Sequence, residues 1–148
     1  MPGEDYGVLS QTLGFHVARS SVLIYGLFDT HIGKPTGLRK VEFSLLMLLL
    51  ANEAMAPKRL AALLSLTAPA LTMVLDRMQD KGLIRRQPNP LDGRSHHIRL
   101  TAEGGRLARK LEPEARAMEA QLLQNLSRAE HAMLIELLVK AAGGAPVR

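Results

Sequence analysis

The amino-acid sequence predicts a mainly α-helical domain in which a helix-turn-helix is followed by a two-stranded β-hairpin, with further helices on either side. Three observations carry that prediction. Apolar residues recur at helical spacing over most of the 148 residues, two helical segments near the middle are joined by a very short turn, and the apolar period falls from 3.6 to 2 just after Gly82.

The first helix is expected from Val8 to His31, where Leu9, Leu13, Val17, Ile24, Leu27 and Phe28 recur at spacings of three, four and seven. Gly33, Pro35 and Gly37 are expected to end it and form a loop. Arg39 to Asn52 reads as a second helix, and its apolar run Leu45 to Ala51 places it in the core. Pro57 suits the first position of a third, short helix ending near Leu64, because its missing N–H is not needed there. Thr67 is a good N-cap for a fourth helix that reaches Lys81 and stops at Gly82. Ser65 lies in the turn between these two, small Ala61 at their crossing, and Leu66, Leu71 and Val74 point inward.

Leu83 to Gln87 and Ser95 to Thr101 then read as two strands, with Pro88-Asn89-Pro90-Leu91-Asp92-Gly93 as the turn. Thr101 caps a helix running from Ala102 to about Asn125. The capping box Ser127-Arg128-Ala129-Glu130 opens the last helix, which runs out at Gly143-Gly144.

Composition removes several classes. There is no Cys, which excludes a disulfide scaffold, a thiolate metal site, a thiol nucleophile and a thiol-oxidation sensor. The longest apolar run is far short of the roughly 20 residues of a membrane span, and the acidic Glu4-Asp5 is unlike a signal peptide, so a soluble cytoplasmic protein without a membrane partner is expected. His96 and His97 are the only adjacent histidines, and neighbouring strand residues point to opposite faces, so they do not chelate one ion and no metal or other cofactor is expected. No nucleophile–base grouping, paired-carboxylate motif or Gly-rich phosphate loop points to an enzyme.

Charge is more informative. The net charge is +5, yet residues 81–110 hold eight basic residues (Lys81, Arg85, Arg86, Arg94, Arg99, Arg106, Arg109 and Lys110) against Asp92 and Glu103, so the rest of the chain is close to neutral. A localised basic stretch points to an anionic partner at one place on the surface.

The ordered set Leu60-Ala61, Leu64, Leu71, Asp76-Arg77, Lys81-Gly82-Leu83-Ile84, Arg86, Pro88, Asp92-Gly93-Arg94 and Leu100-Thr101-Ala102-Glu103-Gly104 resembles the MarR family of bacterial winged-helix transcription regulators. The resemblance follows the whole chain in helix order and is densest from Pro57 to Gly104. It implies a single domain over residues 1–148, with a winged helix-turn-helix lobe at 38–104 and helical dimerisation regions at 8–32 and 105–142. The long apolar stripes of the outer helices, too many for one subunit to bury, fit an interlocked homodimer. On that reading the partner is double-stranded DNA with a pseudo-palindromic operator.

In such a lobe a helix enters the major groove and the hairpin places an arginine in the minor groove. Thr67, Ala68, Pro69, Ala70, Thr72 and Met73 are the expected reading face. It carries no Arg or Lys, a departure from many family members, so thymine-methyl contacts and Thr hydroxyls are left to read bases and the wing to read shape. Arg94 is the expected minor-groove residue, and the resemblance gives Asp92 the role of holding it by an ion pair. Lys58, Arg59, Arg77, Lys81, Arg85 and Arg86 are expected on phosphates.

Many family members leave DNA when a small aromatic acid binds between the dimerisation helices and the lobe. His16, Arg19, Tyr25, His31, Arg39 and Phe43 are the candidates here, since an Arg or His on an apolar face suits a carboxylate. Two other readings stay open on sequence alone: an architectural DNA-binding protein insensitive to ligands, and a protein-interaction module.

Overall fold

The structure, a computed structural model, describes residues 3–144; the first two and last four positions of the expected 1–148 domain lie outside the described residues. The elements are a 3₁₀ turn Gly7–Gln11, α1 Leu13–Phe28, a π turn Asp29–Gly33 with one helical turn Lys34–Thr36, α2 Lys40–Ala51, β1 Ala54–Met55, α3 Pro57–Leu64, α4 Ala68–Asp80, β2 Ile84–Asn89, β3 Asp92–Leu100, α5 Ala102–Leu122 and α6 Arg128–Ala141. No single helix among the described residues is long and apolar enough to cross a membrane.

Contacts divide the chain into two compact units, residues 28–115 and, separately, residues 3–27 with 116–144. The larger unit is built on α2. Its Leu45, Leu46 and Leu49 are buried, and they share the core with Leu60 of α3, Leu71, Val74, Leu75 and Met78 of α4, and Ile84 and Ile98 of the sheet. Pro57 opens α3 at its first turn and Ser65 ends it in the left-handed conformation at φ +54°. Thr67 then caps α4 by accepting the Ala70 N–H at 3.3 Å. The two helices are bent by 106°, within the range of a helix-turn-helix.

The structure differs from the sequence expectation in three places. Gly33 and Pro35 do not end the first helical stretch: the chain widens into a π turn, which tolerates a proline without an N–H just beyond it, and stops only at Gly37, where φ is +71°. The hairpin is part of a three-stranded antiparallel sheet in the order β1-β3-β2, because Ala54 and Met55 pair with Arg99 and Ile98. Finally, the strands extend further than expected, leaving Pro90 and Leu91 as the turn. Pro88 is accommodated because β2 is an edge strand and the ladder shifts register at Pro88/Asn89.

The return from sheet to helix is the tightest point of the lobe. Thr101 donates its hydroxyl to the Gly82 carbonyl at 2.6 Å and accepts the Gly104 N–H at 3.0 Å. A side chain at Gly104 would put its Cβ 1.9 Å from the Leu83 carbonyl oxygen, so only glycine lets α5 lie against the end of the β2 entry.

The smaller unit leaves much apolar surface uncovered. Leu13, Val17, Val22, Leu23 and Ile24 of α1 and Met133, Leu134, Ile135, Leu137 and Leu138 of α6 are all exposed. Its polar contacts include the Ser127–Glu130 capping box and a His131 Nε2 to Glu119 Oε1 pair at 2.5 Å.

Gly104→Ala is expected to lower stability by about 2–3 kcal/mol, the upper end of overpacking, because the obstructing atom is backbone and does not turn aside. A melting temperature within about 2 °C of wild type would show that the α5 junction is looser than described.

Candidate nucleic-acid interface

The outward side of α4 is small and uncharged up to Met73; further along, Asp76 and Asp80 are exposed. Thr67, Ala68, Pro69 and Thr72 are exposed, Ala70 is half-buried, and Met73, at 62% exposure, is not a core residue. Local bonding restricts what the two threonines offer. The Thr67 oxygen is used as the N-cap acceptor, which leaves its O–H to donate; Thr72 donates its O–H to the Ala68 carbonyl at 3.0 Å, which leaves its lone pairs to accept. The face therefore presents one hydroxyl donor, one hydroxyl acceptor and several methyl groups, which suits thymine methyls and base-edge polar atoms better than it suits phosphate.

Behind this face lies the residue that the sequence did not single out. Glu42, in the first turn of α2, is fully buried, and its carboxylate accepts from Arg77 Nε at 3.2 Å, Lys81 Nζ at 3.0 Å and the Arg39 backbone N–H at 3.0 Å. Burial pushes the Glu42 carboxyl up, but the Arg39 N–H and the two cations outweigh it and hold the group below its ordinary value. Arg77 and Lys81, expected on phosphates, thus anchor the inner side of α4 to α2. The advance signal was the single acid in a second helix whose later part is apolar.

Arg86 has a similar occupation. It bonds Asp76 Oδ1 at 2.6 Å and Gln79, so it ties β2 to α4. Arg85 is its neighbour in the strand and is carried to the opposite face of the sheet, where it pairs in register with Arg99. Arg85 and Arg86 therefore leave the sheet on opposite faces. Lys58 and Arg59, in the first turn of α3, are exposed.

At the hairpin tip, Leu91 is 94% exposed and Arg94 is exposed beside it. Asp92 does not form the expected ion pair with Arg94. Its Oδ1 accepts the Arg94 backbone N–H at 3.0 Å, while Asn89 accepts the Leu91 N–H and donates to the Ser95 hydroxyl, so one acid and one amide order the turn. The Arg94 guanidinium forms no ion pair among the described residues.

The six candidate effector residues have separate surroundings within their own units. In the smaller unit, His16 bonds the Ser10 carbonyl at 2.9 Å, the Arg19 guanidinium lies over the rings of Tyr6 and Phe15 at 5.4 and 5.7 Å, and Tyr25 is exposed further along α1. In the larger unit, His31 faces Glu114 at 3.4 Å, Arg39 caps α2, and Phe43 meets Phe28 edge-on at 5.9 Å.

Comparison with known proteins places this geometry among relatives. The family model described as MarR family matches residues 38–96. The multiple antibiotic resistance protein MarR of Salmonella typhimurium is 32% identical over 107 residues, which is 72% of this chain and 74% of that protein. Among solved structures, the transcriptional repressor CouR bound to a 23-mer DNA duplex superposes with a TM-score of 0.84 at 28% identity, covering 95% of this chain and 99% of that one. The PcaV transcriptional regulator of Streptomyces coelicolor, in complex with its natural ligand, has a TM-score of 0.83 at 25% identity and covers 99% and 100%.

A depressed carboxylate pKa adds stability that is complete above the unfolded value and is lost as pH falls through the folded one. Wild type should exceed Glu42→Gln by roughly 1–3 kcal/mol near neutrality, with the partial exposure of Arg77 and Lys81 keeping the difference towards the lower end. The gap should close as pH falls below the ordinary glutamate range in chemical denaturation. A gap that stays constant with pH would mean that the carboxylate charge contributes nothing.

Proposed function

The chain belongs to the MarR family, and from that premise we propose that it is a sequence-specific double-stranded DNA-binding repressor that acts as a two-fold homodimer and is released by a small aromatic carboxylate. The observation that carries the DNA reading is the pairing, within one lobe, of an uncharged exposed α4 face with an unpaired exposed Arg94 at the hairpin tip. The likeness to CouR, a repressor whose structure holds a DNA duplex, supports it.

In this reading Thr67, Ala68, Pro69, Ala70, Thr72 and Met73 lie in the major groove, and Arg94 enters the minor groove, where negative potential is strongest when the groove is narrow. Asp92 orders the turn that presents Arg94. Lys58 and Arg59 bind phosphates, and Arg77 and Lys81 add to them through the donors that Glu42 leaves unused, since Arg77 bonds Glu42 through Nε alone and Lys81 has three N–H groups. Arg86 contributes through its position beside Asp76 more than through free donors.

The dimer covers the apolar residues left exposed on α1 and α6, and it sets two reading helices about one turn of DNA apart. Repression then needs no chemistry beyond tight binding at the site and its reversal. The effector reading is supported by PcaV, whose structure holds its natural ligand, and by an Arg19 already stacked among aromatic rings.

Selection from a random duplex library should enrich a two-fold symmetric sequence bound with steep salt dependence. On that sequence Arg94→Ala should weaken binding by about ten-fold or more, a loss within the roughly 1–3 kcal/mol of a specific contact, and a panel of aromatic carboxylates should contain one that releases it. Unchanged binding by Arg94→Ala would refute the minor-groove role. If selection enriched nothing, the regulator reading would give way to an architectural one.

A further inference from the structure

The face of the sheet turned away from α4 gathers Arg85, expected on phosphates, with two arginines to which the DNA reading gives no role. Register places Arg85 directly opposite Arg99, so the two side chains leave the sheet on the same side. Like charges in that relation repel, and most sheets avoid it. On the other side of Arg99, β1 offers only the small side chain of Ala54. Arg109 joins from α5: its guanidinium folds back over Gly105, where an added Cβ would sit 3.3 Å from both terminal nitrogens.

These three arginines line one cleft, together with Glu53, Thr101 and Gly105. None of them forms an ion pair among the described residues. Glu53, the one carboxylate in the lining, stays beyond ion-pair distance of all three. Inside the cleft Arg99 Nε is buried without a hydrogen-bond partner, the one side-chain atom in that condition among the described residues. A buried charged donor left unbonded is costly, and native proteins seldom leave one without a reason.

We propose that this cleft is a binding site for a small polyanion bearing two or more oxyanion groups, of the phosphoryl or polycarboxylate type. Such a ligand removes the repulsion between Arg85 and Arg99, supplies the acceptor that Arg99 Nε lacks, and meets planar guanidinium forks that match carboxylate and phosphate oxygens alike. The start of α5, with Thr101 and Gly105 in the wall, adds its own favourable field for an anion. Once bound, the ligand joins β2, β3 and α5, and so braces the base of the hairpin whose tip carries Arg94. It is a second input to the lobe, separate from the α4 face and from the aromatic carboxylate proposed above.

The test is calorimetric titration of the full chain with pyrophosphate and with citrate at fixed ionic strength, with acetate and chloride as controls, alongside thermal unfolding. One saturable site per chain is expected for at least one of the two polyanions and none for the controls. Saturation by pyrophosphate alone assigns the site to phosphoryl ligands, and by citrate alone to polycarboxylates. Arg85→Gln and Arg109→Gln should each weaken binding about ten-fold or more, yet melt at or above the wild-type temperature without ligand, because the repulsion is relieved. Glu53→Gln should tighten binding by removing a competing carboxylate.

The proposal is overturned if neither polyanion saturates beyond the ionic-strength effect, or if both arginine substitutions leave affinity unchanged. It is equally overturned if Glu53→Gln lowers the melting temperature without tightening binding, since Glu53 would then be the internal counter-ion, or if Arg109→Gln loses duplex-DNA affinity in parallel, since the cluster would then be a DNA-backbone contact.

Discussion

One buried carboxylate sets the orientation of α4, the second helix of the helix-turn-helix. Glu42 gives up its water entirely, and that cost is offset only because a backbone N–H and two cations converge on it. Both cations come from the inner side of α4, one turn apart. A helix held by two such bonds to a single buried charge is fixed in roll as well as in distance from α2, and roll decides which residues point outward. With α4 rotated by one residue, about 100°, either Met73 would take the core place of Val74 or Thr72 that of Leu71.

The same logic divides the basic stretch that dominates the sequence. Lys81 serves Glu42, Arg86 serves Asp76 and Gln79, Arg85 and Arg99 face each other on the far side of the sheet, and Arg94 stands alone at the tip. A density of basic residues that looks uniform along the chain therefore divides in space into cations that hold the fold, exposed cations outside any ion pair among the described residues, Arg94, Arg106 and Lys110 among them, and cations crowded together. Strand alternation alone separates Arg85 from Arg86, and it is the reason that counting charges along a sequence overstates how many can meet one partner.

Much of the fold was legible because its signals are local. Pro57, Thr67, Gly82, Thr101 and the Ser127–Glu130 box each act within one helical turn, and each stands where its chemistry puts it. Gly33 and Pro35 misled because a π turn absorbs residues that stop an ordinary helix, and nothing in their neighbours signals one. β1 is two residues long, too short to have a period, and exists only because β3 is beside it. The exposure of Thr67, Ala68, Pro69, Thr72, Met73 and Arg94 was legible, since exposure follows from helical phase and turn position. The contacts that orient them were not, because Glu42 meets Arg77 and Lys81 across more than thirty residues of chain, and a lone acid in an apolar helix does not announce its partners.

The most direct measurement is the ratio of affinities for a selected duplex and a random duplex, taken near neutral pH for wild type and Glu42→Gln. If Glu42 orients the reading face, the ratio falls by about ten-fold in the variant while random-duplex affinity changes little, because Lys58 and Arg59 on α3 are untouched. An unchanged ratio in a folded Glu42→Gln protein would contradict the claim that this carboxylate positions α4 for DNA.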